Sequence, residues 1–291
     1  MQSSHARTLA ALLAAQNSDG GWGYGGGGSW TEPTACALLA LTGEEPAADA
    51  LRRGAHWLTA LQRPDGGWPP RASVVESTWV TAAALLALAG QLPRESLARS
   101  VRWLLAKRGE ESGLWRRVRL KLLGVRSDVD TGVDGWPWFP DTAAWVAPTA
   151  VTLLALEKAG RRDASAELRR RLDSGRQFLW SRICHDGGWN HGSTRALGYQ
   201  AESYPETTGL ALLALHGAES PKLPLALAAA ERHLRACRSS EGISWLRLGL
   251  LAHSSPAARV SSPQEPGRGV MDCALFLLAE KAAAGTNRFL D

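Results

Sequence analysis

Gln16-Asn17-Ser18-Asp19-Gly20-Gly21-Trp22 and Gln62-Arg63-Pro64-Asp65-Gly66-Gly67-Trp68 are two copies of one heptapeptide, 46 residues apart. A shortened copy follows as Asp134-Gly135-Trp136. A fourth, without the Gln, is Cys184-His185-Asp186-Gly187-Gly188-Trp189, and Glu241-Gly242-Ile243-Ser244-Trp245 reads as a decayed fifth. A motif that returns at intervals of about fifty residues is the mark of a repeat architecture, in which each unit buries its apolar face only against its neighbours. Composition agrees: 13 Trp stand against 3 Tyr and 4 Phe, and many of the 30 Gly cluster beside the Trp residues.

Outward from each turn the pattern is the same. Downstream comes an Ala/Leu-rich run opened by Thr: Thr34–Leu41, Thr81–Leu88, Thr149–Leu156 and Thr208–Leu215, with Cys273–Ala279 as a fifth. Ala and Leu are strong helix formers, and a helix apolar all round is a buried one. The opening Thr can cap the helix or sit in its first turn. Upstream lies an amphipathic segment, as in Leu97–Lys107, where Leu97, Val101, Leu104 and Leu105 share one face and Arg99, Arg102 and Lys107 lie elsewhere. Each unit therefore reads as outer helix, turn, inner helix. Five or six such hairpins make a solenoid or a closed ring, and inner helices without a polar face favour the ring. In the turn, Gly-Gly gives backbone freedom, Gln and Asp can bond free amides at the next helix start, and Trp covers the neighbouring hairpin.

The Gln-x-x-Asp-Gly-Gly-Trp turn followed by a Thr-Ala helix resembles the QW repeat of squalene and terpene cyclases, with a weaker form in protein prenyltransferase β subunits. The likeness runs from about Leu9 to Ala284. It implies an all-α (α/α)6 barrel (α/α toroid), here one toroid domain over residues 1–291, whose inner helices surround an isoprenoid-binding cavity. It also implies an apolar isoprenoid or lipid as partner and protonation-initiated cyclisation as chemistry. The alternatives are a toroid that holds such a ligand without converting it and a filled scaffold.

Two sets of residues could carry that chemistry. Just before the inner helices stand Trp30 and Glu32, Trp79, Trp145, and Tyr204 and Glu206. Aromatic faces at a cavity mouth can hold an apolar chain or steady a carbocation. The same aromatics could instead only fill the top of the barrel. The second set is Asp128-Val129-Asp130-Thr131-Gly132-Val133-Asp134, the nearest match to the Asp-x-Asp-Asp acid of class II terpene cyclases. Asp130 would donate the proton, with Asp128 and Asp134 raising its pKa. Thr131 stands where the family has its last Asp, and a turn follows instead of the inner helix, so a solvated turn competes with this reading. Asp272 joins Glu32 and Glu206 as a further carboxylate at an inner-helix start.

Other function classes find little support. The net charge of +5 is spread along helix-like stretches, so nucleic-acid binding is not expected. The four cysteines lack metal-type spacing and read as buried thiols of a cytoplasmic protein. Met271-Asp272-Cys273 sets Asp and Cys adjacent, unlike a prenyltransferase zinc site, so neither metal nor cofactor is expected. No apolar run has transmembrane length, and the short run Leu9–Ala15 reads as a structural helix. Peripheral contact with membranes is left open.

Overall fold

A computed structural model describes residues 4–25, 27–110, 132–161, 165–196, 199–259 and 267–291. Eleven α-helices lie among them. The outer helices are α1 (Ser4–Ala14), α3 (Ala48–Ala60), α5 (Arg94–Ala106), α7 (Ala166–Ser181) and α9 (Leu223–Ala236). The inner ones are α2 (Thr31–Leu41), α4 (Val80–Leu88), α6 (Val146–Gly160), α8 (Pro205–Ala214), α10 (Ser240–Ala252) and α11 (Val270–Ala283). Packing runs α2 on α4, α4 on α6, α6 on α8, α8 on α10, α10 on α11 and α11 back on α2. The inner helices thus form a closed six-membered ring, with α1 covering the seam. The fold is the all-α (α/α)6 toroid. Its described strands are two short hairpin pairings, Trp136–Pro137 with Ala144–Trp145 and Arg195–Ala196 with Tyr199–Gln200.

One hydrogen-bond pattern, repeated four times, explains why the turn specifies the ring. The amides of Trp22, Trp68, Trp136 and Trp189 donate to Thr34, Thr81, Thr149 and Thr208 Oγ1 at 2.9, 2.9, 2.8 and 3.0 Å. Their indole nitrogens donate to the carbonyls of Leu12, Leu58, Leu104 and Leu179, near the ends of the outer helices, at 2.8, 2.7, 2.7 and 2.6 Å. Each Trp therefore ties its outer helix to its inner one, and all four rings are fully buried. The opening Thr sits in the first helical turn and serves the preceding turn rather than its own helix.

The roles of Gln and Asp differ from the expectation. Gln16 Nε2 donates to Gly20 O at 2.8 Å and to Ala50 O on the next outer helix at 2.9 Å. Gln62 does the same with Gly66 O and Ser96 O. These amides staple adjacent repeats through carbonyls, not through amides. Asp19 and Asp65 accept from Gly21 and Gly67 N in their own turns and from Ser29 and Ser77. Gly20, Gly66 and Gly187 have φ of +96°, +93° and +95°, a region that favours glycine. In the third repeat Asp134 takes that glycine's place, and no Gln is present. Arg171 from α7 substitutes for it, donating to Asp134 O at 3.3 Å and Lys107 O at 3.0 Å while its guanidinium stacks 4.0 Å over Trp136.

The stretch read as a fifth turn is not one. Glu241–Trp245 is the first part of inner helix α10. This helix crosses α8 backbone to backbone: a Cβ on Gly209 would lie 2.3 Å from Trp245 C, and one on Gly249 would lie 2.4 Å from Gly209 O.

Candidate functional site

Because each turn links the end of an outer helix to the start of an inner one, all inner-helix N-termini gather at one mouth of the toroid. Trp30, Trp79, Trp145 and Tyr204 are the N-cap residues of α2, α4, α6 and α8. Trp30, Trp145 and Tyr204 are extended and stand four residues before Thr34, Thr149 and Thr208, whereas Trp79 stands two before Thr81 and is already helical. Neighbouring loops complete the collar. Tyr24 meets Trp30 edge-on at 5.5 Å, Trp138 meets Trp79 edge-on at 4.7 Å, and His191 lies 6.1 Å from Trp145 and 5.3 Å from Tyr204. Arg71 stacks 4.9 Å from the Trp30 ring. Backbone bonds lace the rim together: Thr31 N to Pro70 O at 2.8 Å, Trp79 N to Trp138 O at 3.1 Å and Val146 N to His191 O at 3.0 Å.

The carboxylates occupy the other arc. Glu32, Glu206 and Glu241 are the second residues of α2, α8 and α10, and Asp272 is the third of α11. In ring order, α10 and α11 stand opposite α4 and α6. The mouth is thus two-sided, with aromatic caps on α2 to α8 and acids on α8 through α2.

Glu32 is the most perturbed of these acids. Its carboxyl is raised to about 6: burial is the largest cause, the hydrogen bond donated by the Tyr24 hydroxyl opposes it, and the negative charge of Glu241 adds to the rise. Burial likewise pushes Glu241 up, with Glu206 and Asp272 adding to the rise and a hydrogen bond from Trp245 opposing it. A first-turn position would by itself favour the ionised form, so burial and mutual repulsion prevail here over the helix dipole. Tyr24 is also raised, chiefly by burial and then by Glu32. Glu32 is half-buried and Glu241 solvent-exposed, although protein crowds both carboxylates. Cys36, one turn below Glu32, is raised by burial and then by these same two carboxylates, so it faces the same interior.

The predicted acid triplet divides. Asp128 and Asp130 lie outside the described residues. Asp134 is described, and it sits in the third turn on the side of the outer helices. There it pairs with Arg108 and, at 3.6 Å, with the buried Arg171. Its amide donates to Ser174 Oγ at 2.9 Å. Two guanidiniums neutralise this carboxylate, so it is placed to build the turn rather than to repel a neighbouring acid. Glu241 and Tyr24 were missed as site residues. Glu241 was hidden by its resemblance to the turn motif, and Tyr24 by the glycine run around it. Among the described residues no group of three or more His, Cys, Asp or Glu is arranged to hold a metal ion.

Comparison with known proteins agrees with the fold. Residues 1–115 match the family model of the squalene-hopene cyclase C-terminal domain. The chain is 30% identical over 135 residues to the squalene–hopene cyclase of Bradyrhizobium diazoefficiens, a match that takes in 40% of this chain and 20% of that enzyme. The structure of the type II terpene cyclase MstE from Scytonema superposes with a TM-score of 0.58 at 19% identity, covering 95% of this chain and 78% of that one. Other structures of MstE hold geranylgeranyl dihydroxybenzoate as substrate or merosterolic acid A as product. A crystallised protein from Actinoplanes superposes with a TM-score of 0.63 at 15% identity, covering 97% of this chain and 98% of that one.

Proposed function

We propose that this chain, similar over residues 1–115 to the squalene-hopene cyclase C-terminal domain and alike in fold to a type II terpene cyclase, binds an isoprenoid chain in the toroid and cyclises it by protonation, with Glu32 as the acid. The observation that carries the reading is the two-sided mouth. A half-buried carboxyl raised to about 6 lies at the same mouth as the aromatic caps. The protonated Glu32 carboxyl would give its proton to a terminal alkene carbon and become a carboxylate, leaving a tertiary carbocation. The π-electrons of the next double bond would close a ring and pass the cation along the chain. Loss of a proton to a carboxylate would end the sequence, so product and substrate are isomers. The rings of Trp79, Trp145 and Tyr204 would steady the cation, a contribution of about 0.5–2 kcal/mol per well-placed ring. Tyr24 would orient the Glu32 carboxyl, and Glu241 would keep its proton on.

A group titrating near 6 keeps its proton in only about one tenth of molecules at pH 7. That observation favours the second reading, a toroid that binds isoprenoids without converting them. The two are separated by incubating the protein with squalene and with shorter polyprenyl substrates at pH 5 and pH 7, and seeking isomers of unchanged mass. Turnover that is faster at pH 5 and lost in Glu32→Gln supports the cyclase and its acid. Binding without turnover at either pH leaves the binding module. Turnover kept in Glu32→Gln but lost in Asp130→Asn would return the acid to Asp130.

A further inference from the structure

The opposite end of the ring is crossed by the segment that follows α11. Gly285, with φ of +100°, ends the helix and turns the chain. The segment does not fold back on its own helix. Lys158 Nζ, near the end of α6, donates to Arg288 O at 3.0 Å, and Arg161 in the same region donates to Leu290 O. The Arg288 guanidinium lies against Gly43, just past the end of α2, at 2.8 Å from where a Cβ would stand. In the ring, α6 stands directly across from α11. Residues 285–290 therefore span the base of the toroid from one side to the other.

Midway along this strap, Asn287 Oδ1 accepts from Phe289 N at 3.2 Å and fixes the turn that presents Phe289. The ring of Phe289 is buried at 4% exposure and meets Trp245 at 5.4 Å. Trp245 is one helical turn from Glu241 on α10 and hydrogen-bonds to it. Phe289, coming from the base, thus reaches a residue in contact with the acids of the mouth. The residual accessibility of the inner helices also falls on this interior, at Cys36, Ala83, Ala147, Val151 and Leu210.

We propose that Phe289 is the floor of the toroid's interior and sets the length of apolar chain that the interior accepts. This inference rests on the isoprenoid reading above. A rigid ring at the closed end stops a chain entering from the mouth, and the strap holds it there through Lys158, Arg161 and Arg288. Truncating the ring deepens the interior below Trp245 without touching the carboxylates.

The test is competitive binding by native mass spectrometry, with an equimolar mixture of geraniol, farnesol, geranylgeraniol and squalene. The parent protein, Phe289→Ala and Phe289→Leu are compared, each checked for cooperative melting. The expected result is a shift in Phe289→Ala towards chains longer by at least one isoprene unit. The ratio of longer to shorter chain bound should rise at least about tenfold, since even single methylenes are discriminated by that factor in apolar pockets. Phe289→Leu should shift the same way by less, and carries the test if the Ala variant fails to fold. Binding with an unchanged length preference overturns the floor and leaves the isoprenoid reading standing. Binding of none of the four chains by the parent overturns both.

Discussion

Replacing Glu32 by Gln is expected to stabilise the protein at neutral pH and to leave its stability unchanged in acid. Glu32 titrates near 6 in the folded chain and at 4.5 when free. A carboxyl whose folded value is raised binds its proton more tightly in the fold than in the unfolded chain. Its favourable contribution is therefore complete below about 4.5 and is lost as the pH rises through about 6. At pH 7.5 the ionised carboxylate costs about 2 kcal/mol, from the difference between the two values at 1.36 kcal/mol each. Gln removes the charge and keeps an oxygen for the Tyr24 hydroxyl. With an unfolding entropy of about 2.1 cal/mol/K per residue over 291 residues, 2 kcal/mol corresponds to about 3 °C in Tm. Thermal melts followed by tryptophan fluorescence at pH 7.5, 6.0 and 4.0 read this directly. The variant should melt about 3 °C above the parent at pH 7.5, less at pH 6.0, and together with it at pH 4.0. No gain at pH 7.5, or the same gain at pH 4.0, would show that Glu32 is not an acid held against its charge by burial and Glu241.

Three further outcomes follow from the packing. Trp22→Ala, Trp68→Ala and Trp189→Ala should each cost about 3–5 kcal/mol in denaturant titrations, because a fully buried ring and an indole-to-carbonyl bond are lost together; unchanged midpoints in all three would remove the turn's structural role. Arg171→Met keeps the stem over Trp136 and loses both carbonyl bonds, so it should cost about 1–3 kcal/mol, while Arg63→Met at an unburied turn position costs little. Gly209→Ala should destabilise by about 1–3 kcal/mol or more, since its Cβ meets the α10 backbone rather than a side chain that can move; a neutral result would mean that α8 and α10 do not cross as closely as described.

The repeat itself was enough to predict the fold class. Four copies of a Trp beside Gly, each followed by a Thr and an apolar helix, could bury their faces only by stacking, and inner helices without a polar side required neighbours on both flanks. The aromatic caps were legible for the same reason: Trp30, Trp145 and Tyr204 hold the same offset from Thr34, Thr149 and Thr208, with Trp79 two residues nearer its Thr. The carboxylate arc was only partly legible. Glu32, Glu206 and Asp272 could be marked as helix-start acids, but Glu241 belongs to a helix with no turn motif before it. Its role comes from ring closure, which brings α10 and α11 round to face α4 and α6. Asp134 shows the reverse case. In sequence it joins a cluster of acids, whereas in the fold Arg108 and Arg171, 26 and 37 residues away, reach it first and neutralise it. Phe289 carried no sequence signal at all, because nothing local distinguishes a strap that crosses the base from one that leaves it. Periodicity is written in neighbouring residues and survives in the sequence. Which charges meet across a ring depends on where the chain returns after some two hundred residues, and only the closed toroid decides that.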